Sequence, residues 1–60
     1  MTKEERYIRN EIARASHANV YEISVEKTLV PDEVAAKLRS ENYRLRIWRD
    51  FVVIEWSISY

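Results

Sequence analysis

Sixty residues make one small domain (residues 1–60) and exclude two, because a chain this short buries only about 60% of the surface its unfolded form exposes. Cysteine is absent and histidine occurs once, so neither a disulfide framework nor a zinc site with its roughly four nitrogen or sulfur ligands can staple the core. Ten basic residues balance ten acidic ones; with a hydrophobic fraction of 47%, the chain reads as one that folds and carries no net field to draw in nucleic acid or an anionic membrane.

A core of this size rarely supplies more than about 3–5 kcal/mol, and with disulfide and metal excluded the expected staple is association, as a homodimer. No apolar run approaches the roughly 18 residues of a membrane span. The charged opening Met1-Thr2-Lys3-Glu4-Glu5-Arg6 is not followed by the apolar stretch of a secretion signal. A cytoplasmic protein without a membrane partner is the expectation.

In chain order, a helix is predicted from about Thr2 to about Ala18. Thr2 and Glu5 have capping-box spacing, in which each side chain satisfies a backbone donor of the first turn. Glu4 and Glu5 lie at the positive end of the dipole and Arg14 and His17 at the negative end, while Glu5 and Arg9 form an i,i+4 pair. Ile8, Ile12 and Ala15 make a narrow apolar stripe. Asn19 breaks the pattern. Val20 to Glu26 then alternates as a strand does, Tyr21, Ile23 and Val25 facing the core and Glu22, Ser24 and Glu26 facing away.

Pro31 fits the first position of a second helix, with Asp32 and Glu33 in its first turn, Val34, Ala35 and Leu38 as its buried stripe, and an end near Glu41. The chain has no glycine, so left-handed backbone is expected to fall on asparagine or aspartate, with Asn42 placed to end this helix.

Tyr43 to Arg49 and Phe51 to about Ser59 are two further alternating runs. A two-residue turn at Arg49-Asp50 sets Trp48 opposite Phe51, Ile47 opposite Val52, Arg46 opposite Val53, Leu45 opposite Ile54, Arg44 opposite Glu55 and Tyr43 opposite Trp56. Arg-Asp is not the usual Asn-Gly or Asp-Gly, which leaves a longer loop open. In this register Tyr43, Leu45, Ile47, Val52, Ile54, Trp56 and Ile58 form a core face, and Arg44, Arg46, Trp48, Phe51, Val53 and Glu55 form the other. A one-residue slip would bury the arginines. The fold class is therefore α+β in the order α-β-α-β-β: a three-stranded sheet with a C-terminal hairpin, both helices on one face, and a helical crossover suited to parallel first and second strands.

Catalytic parts are sparse. His17 reads as a helix-end or solvated residue, Asp32 and Glu33 serve a helix start, and Glu22 and Glu26 share a strand face with Ser24. Without glycine there is no phosphate-cradling loop, and no metal or cofactor is expected. The chain reads as a non-enzyme. The outward hairpin residues Arg44, Arg46, Trp48, Phe51 and Val53 form the candidate partner-binding or dimer surface, since aromatic and arginine side chains dominate interface cores. The same composition suits a platform for single-stranded nucleic acid, where bases stack on rings. Two simpler uses are a homodimer contact, or cover supplied by the first helix. Neutral charge, with Glu22, Glu26 and Glu55 on the same side, ranks a protein or dimer contact above nucleic acid.

The run Glu33-Val34-Ala35-Ala36-Lys37-Leu38, then Asn42-Tyr43 and Ile54-Glu55-Trp56-Ser57, resembles small proteins of bacteriophages and prophages that read as helix, strand, helix, then a Gly-Tyr opening a hairpin that closes on Ile-Ser-Trp. Asn42 stands where that family has glycine, and Glu55 where it has serine. The resemblance spans about Val20 to Ser57. It implies a viral protein made in the bacterial host cytoplasm that binds and blocks a host protein, as phage anti-defence inhibitors do; a minor structural subunit of the phage particle is the alternative it leaves.

Overall fold

In the computed structural model, which describes residues 1–56, Thr2 begins the first helix, α1 (Lys3–His17). The Thr2 hydroxyl accepts from the Glu5 backbone N–H at 3.1 Å, one half of a capping box. The reciprocal half does not form. The Glu5 carboxylate turns away from Thr2 to Arg9 and Lys37 and is buried.

Both helices end in the same device. Asn19 has φ 60°, its N–H donates to the Ser16 carbonyl, and the Val20 N–H donates to the Ala15 carbonyl at 2.8 Å. Asn42 has φ 72°, with Asn42 and Tyr43 donating to the carbonyls of Arg39 and Leu38. Each is a Schellman motif with asparagine where glycine is usual, as expected for Asn42 and unforeseen for Asn19. α2 spans Asp32–Ser40 and follows a 3₁₀ turn at Lys27–Leu29. Pro31 is its N-cap with extended backbone, one place earlier than the expected first helical position; its carbonyl accepts from Ala35.

β1 (Glu22–Glu26), β2 (Arg44–Trp48) and β3 (Phe51–Glu55) form one sheet in the order β1-β3-β2. β1 is shorter than the alternation beginning at Val20, because the Schellman turn consumes Val20. The hairpin register is the predicted one, from Trp48 opposite Phe51 to Arg44 opposite Glu55. The turn has two residues. Its left-handed residue is Arg49, φ 56°, against the expectation of asparagine or aspartate; positive φ at the first position alone is the sign pattern of a type II′ turn. β1 pairs antiparallel with β3, Ile23 opposite Ile54 and Val25 opposite Val52. β1 and β2 thus run parallel but are not neighbours: the α2 crossover leaves a gap that β3 fills. Ile58 and the predicted end of the last strand near Ser59 lie outside the described residues.

One face of the sheet carries the core. Ile8 and Ile12 of α1, Val34 and Leu38 of α2, and Val25, Val52 and Ile54 of the sheet form one buried cluster, ringed by Ile23, Val30, Tyr43, Leu45 and Trp56. Tyr43 meets Trp56 edge to face at 5.9 Å, and the Trp56 indole N–H donates to the Ser16 hydroxyl at 3.2 Å, tying the hairpin base to α1. Charged groups close the seam between the helices. The Arg9 guanidinium makes a two-pronged contact with Glu41 at 3.0 and 2.8 Å and donates to Glu5 at 2.9 Å, while Lys37 reaches the other Glu5 oxygen at 3.2 Å. The narrow stripe of α1 is supplemented in this way by a polar latch onto α2.

Candidate functional site

With both helices packed on the core side, the opposite face of the sheet has no layer over it among the described residues, and α1 does not cover it. Side chains alternate across a pleated strand, so the paired register lays this face out in three rows. Glu22, Glu55 and Arg44 form the first, Ser24, Val53 and Arg46 the second, and Glu26, Phe51 and Trp48 the third. All five predicted surface residues, Arg44, Arg46, Trp48, Phe51 and Val53, therefore share one face.

Their exposure differs. Trp48 is 61% exposed and Phe51 45%, side by side at the hairpin end, whereas Val53 is half-buried at the centre of the sheet. The Arg49 guanidinium lies 4.7 Å from the centre of the Trp48 ring, a cation–π contact that extends the aromatic surface over the turn. A shallow depression beside Phe51 is walled by Glu26, Lys27, Thr28 and Asp50, where the Lys27 N–H donates to the Asp50 carbonyl at 2.8 Å.

Charge is arranged in columns. β1 contributes Glu22 and Glu26, β2 contributes Arg44 and Arg46, and between them Glu55 holds Arg46 in a salt bridge. One of the two β2 arginines is thus already engaged by a carboxylate of its own sheet, which reduces what is available to a phosphate backbone. Trp48 and Phe51 thus form an exposed aromatic pair with charges of both signs around it.

Two features escaped sequence reasoning. Ile47 lies on the core side of the sheet as its register requires, yet it is 59% exposed, since it sits at the hairpin end beyond the helices. The Glu5–Arg9–Glu41–Lys37 latch was visible only as the local pair Glu5 and Arg9; its other half joins residues 32 positions apart. His17 is exposed at the end of α1, and among the described residues no group of three or more His, Asp or Glu could hold a metal ion. No helix among the described residues is long and apolar enough to cross a membrane. Comparisons with protein-family models, curated proteins and solved structures gave no match.

Proposed function

We propose that this chain is a non-catalytic interaction protein whose uncovered sheet face docks on a protein partner, with Trp48 and Phe51 as the anchor and Arg44, Arg46 and Val53 around it. In keeping with the resemblance to small phage proteins, the partner is a host bacterial protein and the effect is steric: the docked face occludes a working surface. The observation that carries this reading is the pair of large exposed rings on a sheet whose other face carries the two helices and the core. Aromatic side chains so placed lose solvent-exposed apolar area only on binding, and the few hot-spot residues of an interface, among which tryptophan is enriched, each cost about 2 kcal/mol or more when truncated, on the order of a thirtyfold change in affinity.

The test is capture from a bacterial lysate by the wild-type chain and by Trp48→Ala and Phe51→Ala chains of unchanged circular dichroism. A specific protein retained by the wild type and lost by both variants supports the reading; equal retention by all three overturns it. Tight binding of single-stranded oligonucleotides that collapses with added salt would assign the same face to nucleic acid instead.

A further inference from the structure

We propose that two copies of this chain join edge to edge along β2, antiparallel, about a two-fold axis through Ile47, to make one six-stranded sheet. The contact uses the strand edge and the exposed apolar side chain at the hairpin end, so it goes beyond the docking reading, and it shares only Arg46 and Trp48 with that face.

The backbone identifies which groups are free. In a two-residue hairpin the closing pair, here Trp48 and Phe51, exchanges both backbone bonds, and bonded and non-bonded pairs then alternate. Trp48, Arg46 and Arg44 therefore spend their N–H and C=O groups on β3, and those of Leu45 and Ile47 point off the sheet. β2 is an outer strand in the order β1-β3-β2, so among the described residues no strand of the sheet meets them. Beside them, on the helix side, Ile47 is 59% exposed and borders a small notch whose apolar floor is Val30, Ala35, Leu45 and Val52 and whose rim is charged, with Lys27, Asp32 and Arg39. An edge strand with free backbone groups and a bared isoleucine is a template for another strand.

Charge selects both the partner and the register. Only three two-fold registers centred within β2 use the free groups of Leu45 and Ile47. An axis at Leu45 sets Arg44 against the partner's Arg46, and an axis at Arg46 sets that residue against itself; like charges directly opposite destabilise a strand pair. An axis at Ile47 instead sets Arg46 against the partner's Trp48, a cation–aromatic pair made twice, and brings Ile47 against the partner's Ile47 beside the notch. It also leads Arg44 toward the partner's turn, where Asp50 lies. The opposite edge is guarded, because β1 paired with itself about its central Ser24 would set Glu22 against the partner's Glu26. A second copy on β2 is thus the occupant that the side chains fit.

A cysteine-free chain allows a clean test of register. Directly opposite, bonded residues have Cα atoms about 5.5 Å apart, within disulfide range, and only the residue on the axis faces its own copy. Three single variants, Leu45→Cys, Arg46→Cys and Ile47→Cys, would be oxidised in parallel, and the wild type sedimented across a dilution series. The expected results are a wild-type mass of twice 7.2 kDa and covalent dimer formed first and most completely by Ile47→Cys. Ile47→Pro, which removes an N–H that no bond within the sheet uses, is expected to lose the dimer. Should proline disturb the strand, Ile47→Lys, at an exposed position, reads the same loss in a folded chain. A monomer at every concentration, cross-linking led by Arg46→Cys or Leu45→Cys, or open-ended growth beyond the dimer through β1 would each overturn the proposal. Phe51→Ala, on the central strand and away from the joined edge, reports partner docking separately from the mass change at Ile47.

Discussion

Left-handed backbone in a chain without glycine has to be carried by residues that resist it. Asn19 and Asn42 tolerate it through their short polar side chains, whereas Arg49 at φ 56° has no such compensation. The three positions should therefore respond differently to substitution. Asn42→Ala is expected to lower stability by about 1 kcal/mol, since alanine meets the full left-handed penalty at the α2 Schellman turn. Arg49→Gly is expected to raise it by up to about 1 kcal/mol, strain relief outweighing glycine's greater chain entropy and the lost contact with Trp48. Urea midpoints of the two variants, at unchanged slope, check both signs. Leu38, like Ile8 and Ile54, is fully buried in the cluster between the two helices and the sheet, and Leu38→Ala is expected to cost about 2–5 kcal/mol. That is comparable to the whole stability of a domain this size, so the variant should be largely unfolded by circular dichroism at room temperature.

At the level of elements, the parts legible in the sequence were those whose pattern admits one solution. The hairpin register followed from alternation together with the two-residue turn, because a one-residue slip would have carried Arg44 and Arg46 into the core. The bounds of α1 followed from the spacing of Thr2 and Glu5 and the break at Asn19. The strand order β1-β3-β2 was not legible: Ile23 and Val25 say which face of β1 is buried but not which strand lies beside it. Nor could Ile47 be told from its neighbours, since its phase in the alternation matches that of buried Ile54 and only its distance from the helices separates them. Glu5 misled for the same reason: a local rule placed its carboxylate on Thr2, and a nonlocal pair of cations, Arg9 and Lys37, won it. The placement of the five candidate residues on one face was legible, since all five lie on adjacent strands whose register alternation determines. The predicted helix caps can be tested at this scale. Thr2→Ala should cost about 1 kcal/mol, read as a lower thermal midpoint together with weakened protection of the first-turn amides in hydrogen exchange.

For the whole molecule, the latch between the helices makes stability depend on pH. Hydrogen bonds from Arg9 first, then Lys37, hold the Glu5 carboxyl below its ordinary value of 4.5, and Arg9 does the same to Glu41. Both groups are thus more acidic folded than unfolded, so the stability they contribute is complete above pH 4.5 and is lost as the pH falls through their lowered folded values. Acid titration of the folded signal should show the loss beginning below that point, and Glu5→Gln should lower the thermal midpoint at neutral pH while making the acid limb shallower. A flat profile down to the lowest pH, the same in wild type and variant, would remove the latch from the account of stability.

The columns of charge on the uncovered sheet face have a kinetic consequence. Acidic β1 on one flank and basic β2 on the other give this face of a molecule of zero net charge a transverse charge separation, with Glu22 and Glu26 at its negative pole and Arg44 and Arg46 at its positive pole. A neutral body gains no overall attraction from a distance, but a dipole feels a torque in any partner's field, and the torque acts to rotate the face into alignment before contact. Association should therefore slow as ionic strength rises despite the absence of net charge, while dissociation, governed by the aromatic anchor, stays nearly constant. Reversing the poles by exchanging Glu22 and Glu26 for arginine and Arg44 and Arg46 for glutamate would keep the composition neutral and turn the molecule the wrong way round on approach.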